Sequence, residues 1–379
     1  MQIKQLSHDE LIAWLRLIRT VNIGPVTFFA FLKVYKTPKN VLEHLPTLIS
    51  NSGTNNKISK ICTVEEAEKE LESAKAIGAK IIAACEPDYP ESLRKIADFP
   101  PVITVLGDVS LLKKNIISIV GGRNSSINGR NFANKLAYDL SQAGFITVSG
   151  LASGIDTAVN SMIFQNHSTI AVTAAGIDVV YPKENLQLYN KIAESNGLIV
   201  TELPFSTKPK PQYFPQRNRI ISGLSLGVVL IEASKRSGSL ITANFALEQN
   251  KEVFAVPGSP LDPRCGGSNN LIKKGAKLVE SVDDIIDGIR FGCTIQNSLF
   301  DDATNYGNDE YVDVTDTEVQ KAKAAVLSCI DSIPTDIDEI IAVSGMRTEI
   351  VLVALLELEL AQKIERYPGN KVALVFDCK

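Results

Sequence analysis

Between Lys208 and Arg219 the chain places two aromatic rings and two guanidinium groups, Tyr213, Phe214, Arg217 and Arg219, with Lys208 and Lys210 upstream and no acid among them. Aromatic faces accept any base, and arginine adds charge on a planar group that stacks, so this composition suits single-stranded nucleic acid better than a base-reading helix. The same residues also suit a solvated basic loop at the lip of a sheet, with long side chains lying along apolar surface. Local composition leaves both readings open.

Three glycine-bearing stretches offer related chemistry. Val120–Gly129 reads VGGRNSSING, Ser149–Asp156 reads SGLASGID, and Ser237–Thr242 reads SGSLIT. Glycine lets a backbone approach a phosphate closely, serine hydroxyls and N–H groups donate to it, and Arg123 can pair with it bidentately. One such turn alone often reflects a need for positive φ; several at one sheet edge are more specific. Neither nucleotide fingerprint is intact: there is no Gly-x-Gly-x-x-Gly opening a helix and no Gly-Lys-Ser/Thr phosphate loop. The three histidines, His8, His44 and His167, lie outside the glycine loops, so a Ser-His-Asp or histidine–metal mechanism has little to work with. These residues point to a binder with no catalytic residue, metal or cofactor.

Loops of this kind need a sheet to hold them. From about residue 79 to 290, apolar runs alternate with helical stretches: Ile116–Val120, Phe145–Val148, Thr169–Val172, Leu198–Val200, Gly227–Ile231 and Val253–Val256. The alternation predicts βαβ units and a largely parallel, Rossmann-like sheet, with ligands beyond the carboxyl ends of its strands. Residues 1–78 read as a helical domain in which Asn22–Val26 forms a Gly-centred hairpin between two helices. Such hairpins meet phosphate in some helix-hairpin-helix modules; a plain packing turn is the favoured reading here. Residues 291–315 read as an acidic linker, and 316–379 as three helices and a wing. The fold class is thus α/β, with a helical N-terminal domain and a C-terminal winged helix.

The net charge of −4 is unevenly spread: residues 300–315 carry five acids and no base, and 316–379 seven bases against eleven acids, which leaves the first 299 residues at +5. A polyanion suits the body and not the tail. The candidate recognition helix sets Arg347 against Glu349, Glu357 and Glu359, the wrong sign for phosphate, so the winged helix is expected to contact protein. Six scattered cysteines without metal spacing, no apolar run of membrane-spanning length and no signal-peptide pattern lead to the expectation of a cytoplasmic protein that does not engage a membrane.

Together the motifs resemble the DNA-processing protein A family, also called Smf, over essentially the whole chain. They are Val120–Ser126, Ser149–Asp156, Gly176–Asn185, Phe214–Ile221, Glu232–Ser234 with Ser237–Thr242, Val256–Ser259 and Leu271–Ala276. The resemblance implies a cytosolic homodimer that binds and protects incoming single-stranded DNA and helps load the RecA recombinase in natural transformation. By motif position the family's DNA contacts carry over to Arg123, Phe214, Arg217 and Arg219. With the loop residues, the expected DNA site comprises Gly121, Gly122, Arg123, Ser126, Ser149, Gly150, Lys210, Phe214, Arg217, Asn218, Arg219, Ser237, Gly238, Ser239 and Thr242. Two positions depart from the pattern: Ser153 stands where an Arg is common and Asn160 where a His is common. The competing reading is a nucleotide-processing enzyme like the nucleoside-monophosphate phosphoribohydrolases of the same superfamily, with Glu232 as its carboxylate, although their Pro-Gly-Gly-x-Gly-Thr loop is missing. A transcriptional regulator is a third, resting on the winged helix alone.

Overall fold

The structure, a computed structural model, describes residues 3–51, 60–299, 316–331, 333–361, 363–367 and 370–375. At the N-terminus come α1 (His8–Arg19), α2 (Pro25–Tyr35), α3 (Pro38–Asn51) and α4 (Val64–Ala76). Helix α1 starts where it does because Ser7 and Glu10 form a reciprocal capping box: the Ser7 hydroxyl accepts from the Glu10 N–H at 3.3 Å, and the Glu10 carboxylate accepts from the Ser7 N–H at 2.9 Å. Gly24 caps α2 and Pro25 opens it with a preset φ. Trp14 then meets Phe28 with ring centroids 5.0 Å apart.

The core runs β1 (Lys80–Ala83), α5 (Glu91–Arg94), β2 (Val102–Gly107), β3 (Ile116–Gly121), α6 (Ile127–Gln142), β4 (Ile146–Ser149), α7 (Ile155–Asn160), β5 (Thr169–Val172), α8 (Leu186–Glu194), β6 (Leu198–Thr201), α9 (Tyr213–Leu224), β7 (Gly227–Ile231), α10 (Ser239–Glu248), β8 (Glu252–Ala255), α11 (Gly266–Lys273), β9 (Lys277–Leu278) and α12 (Val282–Leu299). Its nine strands are ordered β1-β2-β6-β5-β4-β3-β7-β8-β9, and every pair from β6 to β9 is parallel. Strand β2 is antiparallel to both β1 and β6. The expected α/β class with a mostly parallel sheet is the fold observed. Strands β5, β6 and β7 are buried at every residue, as continuous apolar runs require when helices cover both faces. One core cluster joins Ile117, Leu136, Ile155, Val229, Phe254 and Ile285; another joins Ile163, Ala171, Leu188 and Ile199.

Helix α12 continues to Leu299, so the first part of the span read from sequence as linker is helical; residues 300–315 lie outside the described residues. The C-terminal domain comprises α13 (Asp316–Cys329), β10 (Thr335–Asp336), α14 (Ile337–Ser344), α15 (Thr348–Leu360), β11 (Ile364–Tyr367) and β12 (Lys371–Leu374), with a three-stranded wing ordered β10-β12-β11. By contacts the chain forms two compact units: one holds the sheet and its helices, and the other combines α1–α3 with the winged helix. Within the second unit α15 packs on α2. Both helices are largely apolar, as PVTFFAFLKVY and TEIVLVALLELEL show, and such helices need cover on more than one side.

Candidate nucleic-acid interface

Strand order reverses at β3: β4, β5 and β6 follow on one side, β7, β8 and β9 on the other. In open α/β sheets the crevice beyond the carboxyl ends at such a reversal is where ligands bind. Because the strands from β6 to β9 run parallel, the loops after β3, β4, β5, β6, β7 and β8 all leave at this one edge. The glycine stretches and the basic-aromatic segment, distant in sequence, meet there.

They enclose a pocket of about 670 Å³. Ten of the fifteen expected site residues line it: Gly121, Arg123, Lys210, Phe214, Arg217, Asn218, Ser237, Gly238, Ser239 and Thr242. The aromatic wall is Phe214, on the first turn of α9, with Tyr181 edge-on at 5.7 Å between centroids. The Arg123 guanidinium lies 4.9 Å from the centre of the Phe214 ring, and the Lys210 ammonium 6.0 Å from that of Tyr213. Tyr181 was not singled out as a site residue from sequence; its Tyr-Pro element was the available signal. Ile221 and Ile241 also line the pocket, and both lie inside the motifs Phe214–Ile221 and Ser237–Thr242.

Arg217 is buried below this wall. Its guanidinium donates to the carbonyls of Gly150 and Val172, and its Nε to Asn218 Oδ1 at 3.2 Å. The Asn218 amide in turn donates to the Gly238 carbonyl at 3.3 Å, so one helical turn ties together the loop after β4, the end of β5 and the loop after β7. Burial pulls Arg217 down to about 10 while neighbouring Asp156 holds it up, and it stays a cation at neutral pH. Asp156 itself is pushed above its ordinary range by burial, against the opposing pull of Arg217.

Arg219 sits elsewhere. Two residues along a helix is a rotation of about 200°, so Arg219 leaves the opposite side of α9, pairs with Glu202 and donates to the Asp98 carbonyl at 2.6 Å. It is buried and committed to carboxylates, so of the two arginines expected at the DNA site Arg219 braces the helix.

Ser126 is likewise engaged. Its N–H donates to the Glu232 carboxylate at 2.7 Å and its hydroxyl to the other oxygen of the same group. The start of α6, where a dinucleotide fold would seat pyrophosphate, therefore already holds an anion, and Gly129 has no side chain because Glu232 lies against it. The same contact occupies the carboxylate that the hydrolase reading relied on. Gly122, Ser149 and Gly150 lie behind the pocket. The Ser149 hydroxyl donates to the Ile119 carbonyl at 2.7 Å, the Gly122 carbonyl accepts from the Ile155 N–H at 3.3 Å, and that of Gly150 accepts from Arg217. Asn160 is buried and accepts from the Thr169 hydroxyl at 2.9 Å, whereas Ser153 is exposed.

Around the mouth the charge is positive. Arg123, Lys208 and Lys210 have no ion pair among the described residues, whereas Glu202 is spent on Arg219 and Glu232 on the start of α6. The arrangement can seat an unstacked base against Phe214 and Tyr181 and meet its phosphates at the rim. No His/Cys/Asp/Glu group among the described residues has the makings of a metal site, and Cys265 and Cys329 are free thiols.

Comparison with known proteins gives the same frame. The family described as DNA recombination-mediator protein A matches residues 80–290, a DprA-like N-terminal HHH domain matches 8–73, and a DprA winged helix domain matches 314–370. DNA processing protein DprA of Bacillus subtilis is 45% identical over 55% of this chain and 71% of its own. Protein Smf of Escherichia coli is 34% identical over 84% of this chain and 81% of its own. The X-ray structure of DNA processing protein A from Streptococcus pneumoniae, 33% identical, covers 70% of this chain and 98% of that one with a TM-score of 0.55. The Helicobacter pylori protein, described for its single-stranded DNA binding mode, is 26% identical over 58% of this chain and 96% of its own, with a TM-score of 0.50.

Proposed function

This chain belongs to the DNA recombination-mediator protein A family, and we propose that it binds single-stranded DNA in the pocket at the β3–β7 reversal, without catalysis. The carrying observation is Arg123 stacked over Phe214 in a pocket that also carries Lys210, neither cation having an ion pair among the described residues. Bases stack on Phe214, phosphates meet Arg123 and Lys210, and Arg217 holds the loops in register from below. On this reading the protein acts in the cytoplasm as a homodimer, protects incoming strands and helps load the RecA recombinase. Relatives that are DNA processing proteins, one with a described single-stranded DNA binding mode, support the DNA role; the RecA step rests on the family resemblance.

Filter binding of a short oligonucleotide tests the site. Arg123→Ala should bind more weakly, with a dependence on log salt shallower by about 0.7, and affinity like the wild type's in both Arg123→Ala and Phe214→Ala would overturn the assignment. Loading is tested by asking whether the protein speeds displacement of a single-strand binding protein by the recombinase. A second reading, nucleoside-monophosphate hydrolysis, draws on Asp156, a carboxyl on the pocket wall shifted by burial. Chromatography for free base after incubation with nucleoside monophosphates decides it; turnover would promote it.

A further inference from the structure

The loop from Ser234 to Gly238 forms one wall of the pocket, through Ser237 and Gly238, and then turns outward. Its outward residues are Lys235 and Arg236, both exposed and neither with an ion pair among the described residues. The next segment along the same edge, the loop after β8 with the start of α11, is joined to its base: the N–H groups of Gly267 and Ser268 donate to the Ala233 carbonyl at 2.7 and 3.2 Å, and the Lys235 stem lies over Gly266.

That second loop is stiff. Asn269 clamps Gly258 from both sides, accepting from its N–H at 3.1 Å and donating to its carbonyl at 2.8 Å. Asp262 pairs with Arg264 at 2.7 Å, which removes the acid nearest to Lys235 and Arg236 on this loop. At the tip stands Leu261, between Pro260 and Asp262 and 93% exposed, the barest of the large apolar side chains described. A held loop that displays leucine beside two uncommitted cations, on the same sheet edge as the pocket, has the chemistry of a strand path: charge for phosphate and an apolar edge for an unstacked base.

We infer that single-stranded DNA leaving the pocket continues over the β7 and β8 loops, with Lys235 and Arg236 on its phosphates and Leu261 against a base. This rests on the pocket reading above and extends it from one nucleotide seat to a directional track across the sheet edge. Its ligand is the same strand, so no second partner is needed.

The test is a length series on the full chain: fluorescence anisotropy with labelled oligothymidylates of about 4 and about 12 nucleotides. The wild type should gain affinity with length. Lys235→Ala/Arg236→Ala should lose about tenfold on the longer strand and under about twofold on the shorter, with a log-salt slope shallower by about 1.4. Leu261→Ala should weaken the longer strand alone while leaving the salt slope unchanged. All three side chains are exposed, so thermal melting serves as the folding control. Should both variants keep the wild-type length gain and salt slope while Arg123→Ala loses both lengths, the track is wrong and the pocket stands. Wild-type binding by both Arg123→Ala and Phe214→Ala would instead remove the pocket reading.

Discussion

Arg217 and Arg219 are alike in sequence yet brace different places, Arg217 the loops at the pocket and Arg219 the far side of α9. Removing Arg219 leaves Glu202, itself largely buried, without its cation. Arg219→Ala should therefore lower unfolding free energy by about 3–5 kcal/mol in urea titrations, with oligonucleotide affinity per folded molecule unchanged. Phe214→Ala should do the reverse. Loss of base stacking costs about 1–3 kcal/mol, read as roughly a 5- to 150-fold rise in Kd, while the urea midpoint barely moves. Equal effects on binding from both variants would contradict the division of labour. The residue types were legible in the chain, but which guanidinium faced the pocket depended on the helical turn between Tyr213 and Leu224.

Elements show where reading by alternation succeeds and where it stops. The six strands expected from apolar runs are β3 to β8, because each is flanked by helix and buried on both faces. Strands β1 and β2 escaped: only the four-residue α5 lies between them, and an antiparallel pair carries no βαβ signature. That edge has an acid-sensitive tie. Asp88 receives Lys80 of β1 at 2.6 Å and Lys113 at 2.9 Å, and these hydrogen bonds hold its carboxyl at about 2, below the ordinary 3.8. A carboxyl depressed in the fold stabilises above its unfolded value and loses that contribution as pH falls through the folded one. Asp88→Asn should flatten the fall of the urea midpoint between pH 3.8 and about 2; an unchanged acid limb would show the tie to be idle. The glycine loops make a second prediction. Gly154 has φ +85°, and a side chain there would strike the Gly122 and Arg123 carbonyls. Gly154→Ala should destabilise the core by at least about 1–3 kcal/mol and disturb the seat of Arg123, seen as a joint loss of urea midpoint and oligonucleotide affinity.

At the scale of the whole molecule, the second unit joins the two ends of the chain. Helices α2 and α15 are largely apolar and pack on each other, so the helix that would read a DNA groove in a regulator is engaged within the chain. Deleting residues 316–379 should leave oligonucleotide affinity within about twofold yet uncover α2. The single tryptophan, Trp14, packs on Phe28 of α2 and reports that loss. Its fluorescence transition should shift to lower urea; collapse of binding on deletion would revive the regulator reading. By itself the sequence determined the α/β class, the helical and winged-helix ends and the residue types of the site, because strand and helix periods and loop motifs are local properties of a chain. Tertiary structure alone decided that Glu232 fills the start of α6, that Arg219 turns to Glu202, and that Tyr181 joins Phe214. Those outcomes depend on which loops the β3 reversal brings to one edge and on what each buried charge finds there, and neither is written in any short stretch of sequence.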